Sequence, residues 1–141
     1  MNTRDADIEN TPARVRRLAD SESFRALSEL SPEFVAVLDA CGLIAYASPA
    51  VERVLGYRVE EVEGRRVSSF VHPEDRAEAD AFLQRLLRTS SVLTATRRYR
   101  HKNGSWRVLE ILGRNHGDGL DGGPLLVSTR DITERVEQVL R

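Results

Sequence analysis

The chain passes from a strand pattern directly into a helix pattern near its C-terminus, and this junction limits the folds available to it. Leu125 to Thr129 is an apolar, β-rich run, and apolar residues then recur at helical spacing from Val136 to Leu140. Asp131 stands where an N-cap is needed, and Glu134 follows three residues later, where a capping-box acid would be. The sequence therefore predicts a sheet coupled to a helix without a flexible linker, a geometry suited to passing strain outward.

Strand patterns lie at both ends of the chain, with helix patterns between them. Two strands are predicted first, then several short helices and one long helix from His72 to about Arg88, and then three more strands. The predicted strands span residues 33–39, 43–47, 92–100, 105–115 and 124–129, and the shorter helices residues 50–55 and 59–62. Asn103-Gly104, between the third and fourth strands, is a strong hairpin signal. This order predicts an α+β fold in which an antiparallel sheet carries its helices on one face.

The 141 residues divide into three predicted segments. These are an N-terminal extension that is partly helical, a main domain, and the start of a C-terminal helix, spanning residues 1–20, 21–131 and 132–141. Thr11-Pro12 starts a helix pattern that continues, with an interruption, to residue 30. The apolar stripe of this pattern is longer than its own domain needs. We therefore expect Val15 and Leu18 to form the contact of a homodimer.

Composition and charge argue against several classes of partner. A net charge of −1 gives no electrostatic case for binding nucleic acid or an anionic membrane. No apolar run reaches the roughly 18 residues of a transmembrane helix. The polar N-terminus also lacks the apolar core of a signal peptide. Cys41 is the only cysteine, which excludes an internal disulfide and favours a reducing cytoplasm as the compartment.

Several short motifs occur in the order typical of one signalling family. They are Val37-Leu38-Asp39, Tyr46-Ala47-Ser48-Pro49-Ala50, Leu55-Gly56-Tyr57, Val71-His72-Pro73-Glu74-Asp75, Arg98 to Trp106, and Arg130 to Arg135. Each motif is weak alone, but the ordered set, from about Phe24 to Arg135, resembles a PAS domain. The resemblance implies a five-stranded antiparallel sheet with short helices and one long helix over one face. Ser48 departs from the family's usual asparagine, and we expect serine to cap the following helix equally well.

The same resemblance implies a role in signal transduction. It points to a sensory or dimerising input module, joined in the parent protein to an effector of the histidine kinase or diguanylate cyclase type. A C-terminal helix of about nine residues is too short to be stable in isolation, so we expect it to dock or to continue into a longer connector. Asp131, Thr133 and Arg135 are the expected signal relay at this junction.

Two cofactor chemistries known in the family are disfavoured by the residues present. A haem would need an inward-facing histidine on the long helix. His72 instead lies at the cap of that helix, His101 in a hairpin turn and His116 at a strand end. A covalent flavin of the light-oxygen-voltage type would need a cysteine in a characteristic motif beside the flavin, and Cys41 lies in the first hairpin turn. No catalytic motif is present, so we do not expect an enzyme.

An apolar pocket between the sheet and the helices is the default ligand site. Its predicted lining is Phe34, Leu38, Leu55, Phe70, Phe82, Leu86, Trp106, Leu109, Ile111 and Asn115. Asn115, Arg98 and Ser128 are the expected polar groups on its strands. Two functions stay open from the sequence: a sensor that binds a small apolar ligand, and a dimerisation or protein-interaction domain with a fully packed core and no ligand.

Overall fold

The computed structural model describes residues 33–117 and 124–140. Within them, the predicted β-rich runs form one five-stranded antiparallel sheet, in the order β2-β1-β5-β4-β3. The strands are β1 (Glu33–Leu38), β2 (Ile44–Ala47), β3 (Leu93–Arg100), β4 (Trp106–Asn115) and β5 (Leu125–Asp131). The α+β class and the five-stranded sheet expected from the sequence are confirmed. The predicted N-terminal helix, with Val15 and Leu18, lies outside the described residues.

The first and last strands are neighbours at the centre of the sheet. Phe34 of β1 pairs with Thr129 of β5, and the ladder continues through Leu38 opposite Leu125. Strand β5 then pairs along its other edge with β4, which brings Ile111 opposite Thr129. The end of the chain is thus held between two strands. This pairing fixes where the C-terminal helix leaves the sheet.

Helical segments connect β2 to β3 and cover one face of the sheet. They are α1 (Val51–Leu55), α2 (Val59–Val62), two short 3-10 turns (Val67–Phe70 and Pro73–Asp75) and α3 (Arg76–Leu86). Helix α3 buries Phe82 and Leu86 against the sheet. A Cβ atom added at Gly113 of β4 would lie 2.8 Å from Leu86 Cδ1. The absence of a side chain at Gly113 therefore allows α3 to approach the sheet closely.

Two helix starts differ from the sequence prediction. The long helix is preceded by the 3-10 turn Pro73–Asp75, in which His72 Nδ1 accepts a hydrogen bond from the Glu74 amide at 3.1 Å, and α3 ends at Leu86. Ser48 does not cap α1 with its side chain. Its fully buried hydroxyl oxygen instead accepts a hydrogen bond from the Val35 amide at 2.9 Å, because β1 passes directly beside it. Ser48 therefore ties the start of the helical layer to β1.

The C-terminal helix α4 (Thr133–Leu140) follows β5 after a single residue. This confirms a strand-to-helix junction without a flexible linker. None of the helices in the described ranges is long and apolar enough to cross a membrane.

Candidate functional site

A cavity of about 60 Å³ lies between the inner face of the sheet and the helical layer. Alternate residues of β1, β3 and β5 point into this space together with Ile111 of β4, and α1, the Val67–Phe70 turn and α3 close it from above. Of the residues expected to line a pocket, those that surround the cavity are Phe34, Leu38, Leu55, Phe70, Phe82, Leu86 and Ile111. The wall is therefore mainly apolar, as the sequence predicted.

Three expected lining residues lie elsewhere. Trp106 is 42% exposed, and its ring centroid lies 4.4 Å from that of His72. Leu109 is fully buried in the core without reaching the cavity wall. Asn115 lies at the end of β4, where its Oδ1 accepts from the Gly117 amide at 2.8 Å. Because side chains alternate along a strand, Trp106 cannot share a face with Leu109, three residues away.

The polar groups at the cavity also differ from those expected. Arg98 and Ser128 do not line it, and their chain neighbours Arg97 and Thr129 do. Thr129 donates its hydroxyl hydrogen to the Phe34 carbonyl oxygen at 3.0 Å, so its side chain is satisfied within the sheet. Tyr99 also lines the cavity, and burial raises the pKa of its phenol well above the ordinary value. The phenol therefore stays neutral at physiological pH.

Arg97 is the one charged side chain among the residues lining the described cavity. It is 8% exposed, and its guanidinium carbon lies 5.8 Å from the centroid of the Phe82 ring. Nη2 donates to the Glu78 carbonyl oxygen at 3.2 Å, and Nη1 donates to the Thr96 carbonyl oxygen at 2.9 Å. Nε is buried, and among the described residues it has no hydrogen-bond acceptor. The sequence predicts Arg98 rather than Arg97 at the cavity. The two residues are chemically identical neighbours, so only the register of β3 shows which of them faces the cavity.

Arg98 instead fastens the outer edge of β3 to the start of α3. Its Nε donates to Asp75 Oδ2 at 3.0 Å, and its Nη2 donates to Asp75 Oδ1 at 2.8 Å. Asp75 Oδ2 also accepts from the Arg98 amide at 3.0 Å, and Glu74 accepts from Nη2 at 3.1 Å. The side-chain hydrogen bonds from Arg98 lower the pKa of Asp75 to about 2 against the opposing effect of burial. This pair therefore links β3 to the turn that precedes α3.

The sheet is joined to α4 by a second polar cluster, formed by Arg107, Val108, Asp131 and Thr133. The Thr133 hydroxyl accepts from the Val108 amide at 2.8 Å and donates to Asp131 Oδ1 at 2.6 Å. Asp131 Oδ1 also accepts from the Thr133 amide at 2.9 Å, and Oδ2 accepts from Arg107 Nε at 2.8 Å. Burial opposes ionisation of Asp131, but the hydrogen bonds from Thr133 and Arg107 outweigh it and lower the pKa. The carboxylate therefore stays charged at neutral pH.

The expected capping box at this junction is replaced by a different arrangement. The Asp131 backbone is paired with Leu109 in the sheet, and Ile132 accepts the first helical hydrogen bond, from the Val136 amide at 3.0 Å. Asp131 thus lies one residue before the N-cap position and satisfies the first amide of the helix. Because Ile132 is the N-cap, the capping-box position three residues later is Arg135, and Glu134 lies one residue before it, exposed on the first turn.

Of the three expected relay residues, the structure brings together Asp131 and Thr133. Arg135 is exposed on α4. Val139 and Leu140 on the same helix are 81% and 80% exposed, so the apolar stripe of α4 is left open at its C-terminal end.

The residues considered for cofactor chemistry are not gathered in the cavity. Cys41 is exposed in the first hairpin turn, and His101 Nδ1 accepts from the Asn103 amide at 3.0 Å in the second. His116 follows β4, where its amide donates to the Pro124 carbonyl oxygen at 2.9 Å. Residues 33–117 and 124–140 contain no group of three or more His, Cys, Asp or Glu side chains placed to hold a metal ion.

Comparison with known proteins matches this fold to a family. A family model described as the PAS fold matches residues 44–129. The chain is 35% identical over 80 residues to the White collar 2 protein of Neurospora crassa; these residues are 57% of this chain and 15% of that protein. The chain thus spans only a small part of that relative.

Solved structures agree with the family match. A PAS domain of an HTR-like protein from Haloarcula marismortui superposes with a TM-score of 0.65 at 27% identity, covering 85% of this chain and 98% of that one. A sensory box histidine kinase/response regulator structure from Burkholderia thailandensis superposes with a TM-score of 0.67 at 21% identity, covering 83% and 89%. The sheet order, the helical layer over an internal cavity and the family match lead to one conclusion: the chain belongs to the PAS fold family.

Proposed function

We propose that this chain, a PAS module of signal transduction, is a sensory input unit that reports the state of its cavity through α4. The observation that supports the proposal is the hydrogen-bonded cluster of Arg107, Val108, Asp131 and Thr133. Through it, the first turn of the helix is bonded to β5, the strand that it follows, and to the neighbouring strand β4.

The same two strands also line the cavity. Ile111 of β4 lies three residues from Val108, and Thr129 of β5 lies two residues from Asp131. A shift of either strand caused by a bound molecule therefore changes the distance between Val108 and the Thr133 hydroxyl. Because packed elements switch between discrete arrangements, a small shift of this kind can move a helix. Asp131 and Thr133 are then the relay residues, with Arg135 exposed for contact with the next element.

The receiving element is proposed to be an effector domain of the histidine kinase or diguanylate cyclase type. The open apolar stripe of α4, with Val139 and Leu140 exposed, supports a helix that continues into, or packs on, such a partner. Homodimerisation through Val15 and Leu18 remains part of this proposal. The second candidate is a ligand-free dimerisation domain in a cytoplasmic protein, and the same exposed stripe favours it.

A double-mutant cycle with hydrogen exchange tests the relay. Ala36→Val adds volume at the cavity wall, and Thr133→Val removes the hydroxyl that bonds Val108. We expect Ala36→Val to change amide exchange in α4 by about threefold or more in the wild-type background. In the Thr133→Val background the same substitution should leave α4 exchange unchanged, because the connection is absent.

Glu134→Ala is the matched control, since Glu134 is exposed on the same turn of α4. In that background Ala36→Val should act as it does in the wild type. Equal amide exchange in α4 with and without Ala36→Val in the wild-type background would contradict the relay. The ligand-free dimerisation domain would then be the better-supported function.

A further inference from the structure

Arg97 holds a charge and an unused hydrogen-bond donor inside an apolar cavity. Its side chain is more than nine-tenths buried, and Nε has no acceptor among the described residues. A guanidinium group remains protonated in proteins. A buried donor without a partner is unfavourable, and more so when the group is charged. The surroundings of Arg97 thus favour any molecule that brings an acceptor to Nε.

The compensating charge near Arg97 is weak. Glu78 Oε2 lies 3.5 Å from Nη1, but the Glu78 side chain is 75% exposed, so solvent screens it. A second guanidinium, that of Arg85, also lies 5.8 Å from the Phe82 ring centroid. The charged residues of the groove between α3 and β3 are therefore two arginines and one glutamate. Glu78 and Arg85 are both exposed, so the buried charge of this groove is that of Arg97, which favours an anion over a neutral molecule.

Arg97 also lies between the cavity and the solvent. It lines both the cavity and the groove that Glu78, Arg85 and Thr94 form on the surface between α3 and β3. Its hydrogen bond to the Glu78 carbonyl oxygen spans the gap from strand to helix. A ligand that enters from the groove would therefore meet the Arg97 guanidinium.

We propose that the cavity is selective for small monocarboxylates, bound with the carboxylate on Arg97 and the hydrocarbon part among Phe34, Phe82 and Ile111. This inference rests on the proposed sensory function and names the class of ligand for it. A cavity of about 60 Å³ holds roughly four to six water-sized positions. The ligand is therefore a short-chain acid with a similar number of non-hydrogen atoms. Dicarboxylates and long-chain acids do not fit both the volume and the single charged group.

Protein-observed NMR titration of the 141-residue chain tests the assignment with three probes of equal size. Butyrate, butyramide and 1-pentanol have the same number of non-hydrogen atoms, but only butyrate is charged. We expect butyrate to shift the amide signals of Ile111 and Thr129 and to bind about tenfold or more tightly than 1-pentanol. Arg97→Met, which keeps the length of the side chain without charge or donor, should reverse that order.

Arg114→Met is the control for loss of a positive charge, since Arg114 is exposed on the other face of β4. It should retain the preference for butyrate. Two results would overturn the role of Arg97 while leaving a ligand cavity in place. One is a preference for butyrate that survives in Arg97→Met, and the other is that butyramide and 1-pentanol bind to the wild type as well as butyrate does. If no probe shifts the cavity signals, the ligand class and the proposed cavity sensing both fail. The wild-type comparison decides the matter even where Arg97→Met does not fold.

Discussion

Arg97 and Arg98 are neighbours in β3, and the alternation of side chains along a strand gives them different surroundings. Arg97 points toward the helical layer and is almost completely buried, whereas the Arg98 side chain is 39% exposed and faces two carboxylates. Arg98 is thus paired with both carboxylates through Nε and Nη2, and Arg97 keeps a buried Nε that has no acceptor among the described residues. One residue of register decides which arginine is paired with carboxylates and which one is the proposed ligand-binding group.

Asp75→Asn should destabilise the fold at neutral pH and remove one source of its acid sensitivity. The folded pKa of Asp75 is about 2 and its ordinary value is 3.8, so the carboxylate stabilises the native state above about pH 4. That contribution is lost as the pH falls from about 4 to about 2. Since half-exposed Arg98 is open to solvent screening, we expect a loss of about 1 to 2 kcal/mol at pH 7. Urea unfolding at several pH values measures it.

Glu74→Gln is the matched control for Asp75→Asn. Glu74 contacts the same Arg98, but its side chain is 73% exposed, and it makes one hydrogen bond where Asp75 makes three. We expect its effect to stay within about 0.5 kcal/mol. Equal losses for the two variants, or an unchanged acid transition in Asp75→Asn, would mean that the pair does not fasten β3 to α3.

At the scale of elements, the turn of the β3–β4 hairpin is docked on the C-terminal end of α1. The Lys102 amide donates to the Leu55 carbonyl oxygen at 2.9 Å, and Lys102 Nζ pairs with Glu61 at 2.6 Å. A Cβ atom at Gly56 would lie 2.7 Å from His101 Cε1. Strands β3 and β4 are thus fixed to the helical layer at the turn between them as well as along β3.

Gly56→Ala should therefore destabilise the protein more than Gly64→Ala. Both glycines have a positive φ, +82° and +85°, but a Cβ at Gly64 would meet no atom within 4 Å. The backbone term of about 1 to 2 kcal/mol is common to both, and Gly56→Ala must also displace the His101 ring. We expect the Gly56 variant to lose about 1 kcal/mol more in urea unfolding. Indistinguishable midpoints for the two variants would show that the hairpin turn is not tightly docked.

The elements themselves could be predicted from the sequence because their signals are local. Asn103-Gly104 specifies a hairpin, and the apolar, β-rich runs of β4 and β5 favour strands. The sequence predicts the 3-10 turn Pro73–Asp75 as part of the long helix, since its acids and proline suit either kind of helix start. Ser48 is predicted as a cap because hydroxyl capping is a local rule, whereas its partner in the structure, Val35, lies 13 residues away.

The site was less predictable because it depends on register. Hydrophobicity predicts that apolar residues such as Phe34 and Ile111 line the cavity, and the structure places them there. It also predicts Trp106, which lies five residues from Ile111 and therefore on the opposite face of the strand. Counting alternate positions from Ile111 would have excluded Trp106. It could not have shown that Arg97 lacks an acceptor, because that depends on packing between α3 and β3.

For the whole molecule, the central strands link an internal cavity to one exposed helix. Strands β4 and β5 line the cavity at Ile111 and Thr129 and hold α4 at Val108 and Asp131. Helix α4 presents Val139 and Leu140 to solvent at 81% and 80% exposure. Two apolar surfaces are therefore candidates for assembly: this end of α4, and the predicted N-terminal stripe with Val15 and Leu18.

The proposed homodimer contact is expected to fail when Val15 and Leu18 are both replaced by glutamate. In a twofold interface each new carboxylate faces a copy of the same surface, so the apolar gain of about 1.5 to 3 kcal/mol per side chain is replaced by repulsion. Light scattering should then show a mass that falls from twice 15.8 kDa to 15.8 kDa. Val139→Glu with Leu140→Glu is the matched pair, and it should leave the dimer intact. If instead the α4 pair gives the monomer and the N-terminal pair does not, the assembly runs through the helix that leaves the sheet, and effector coupling and dimerisation share one surface.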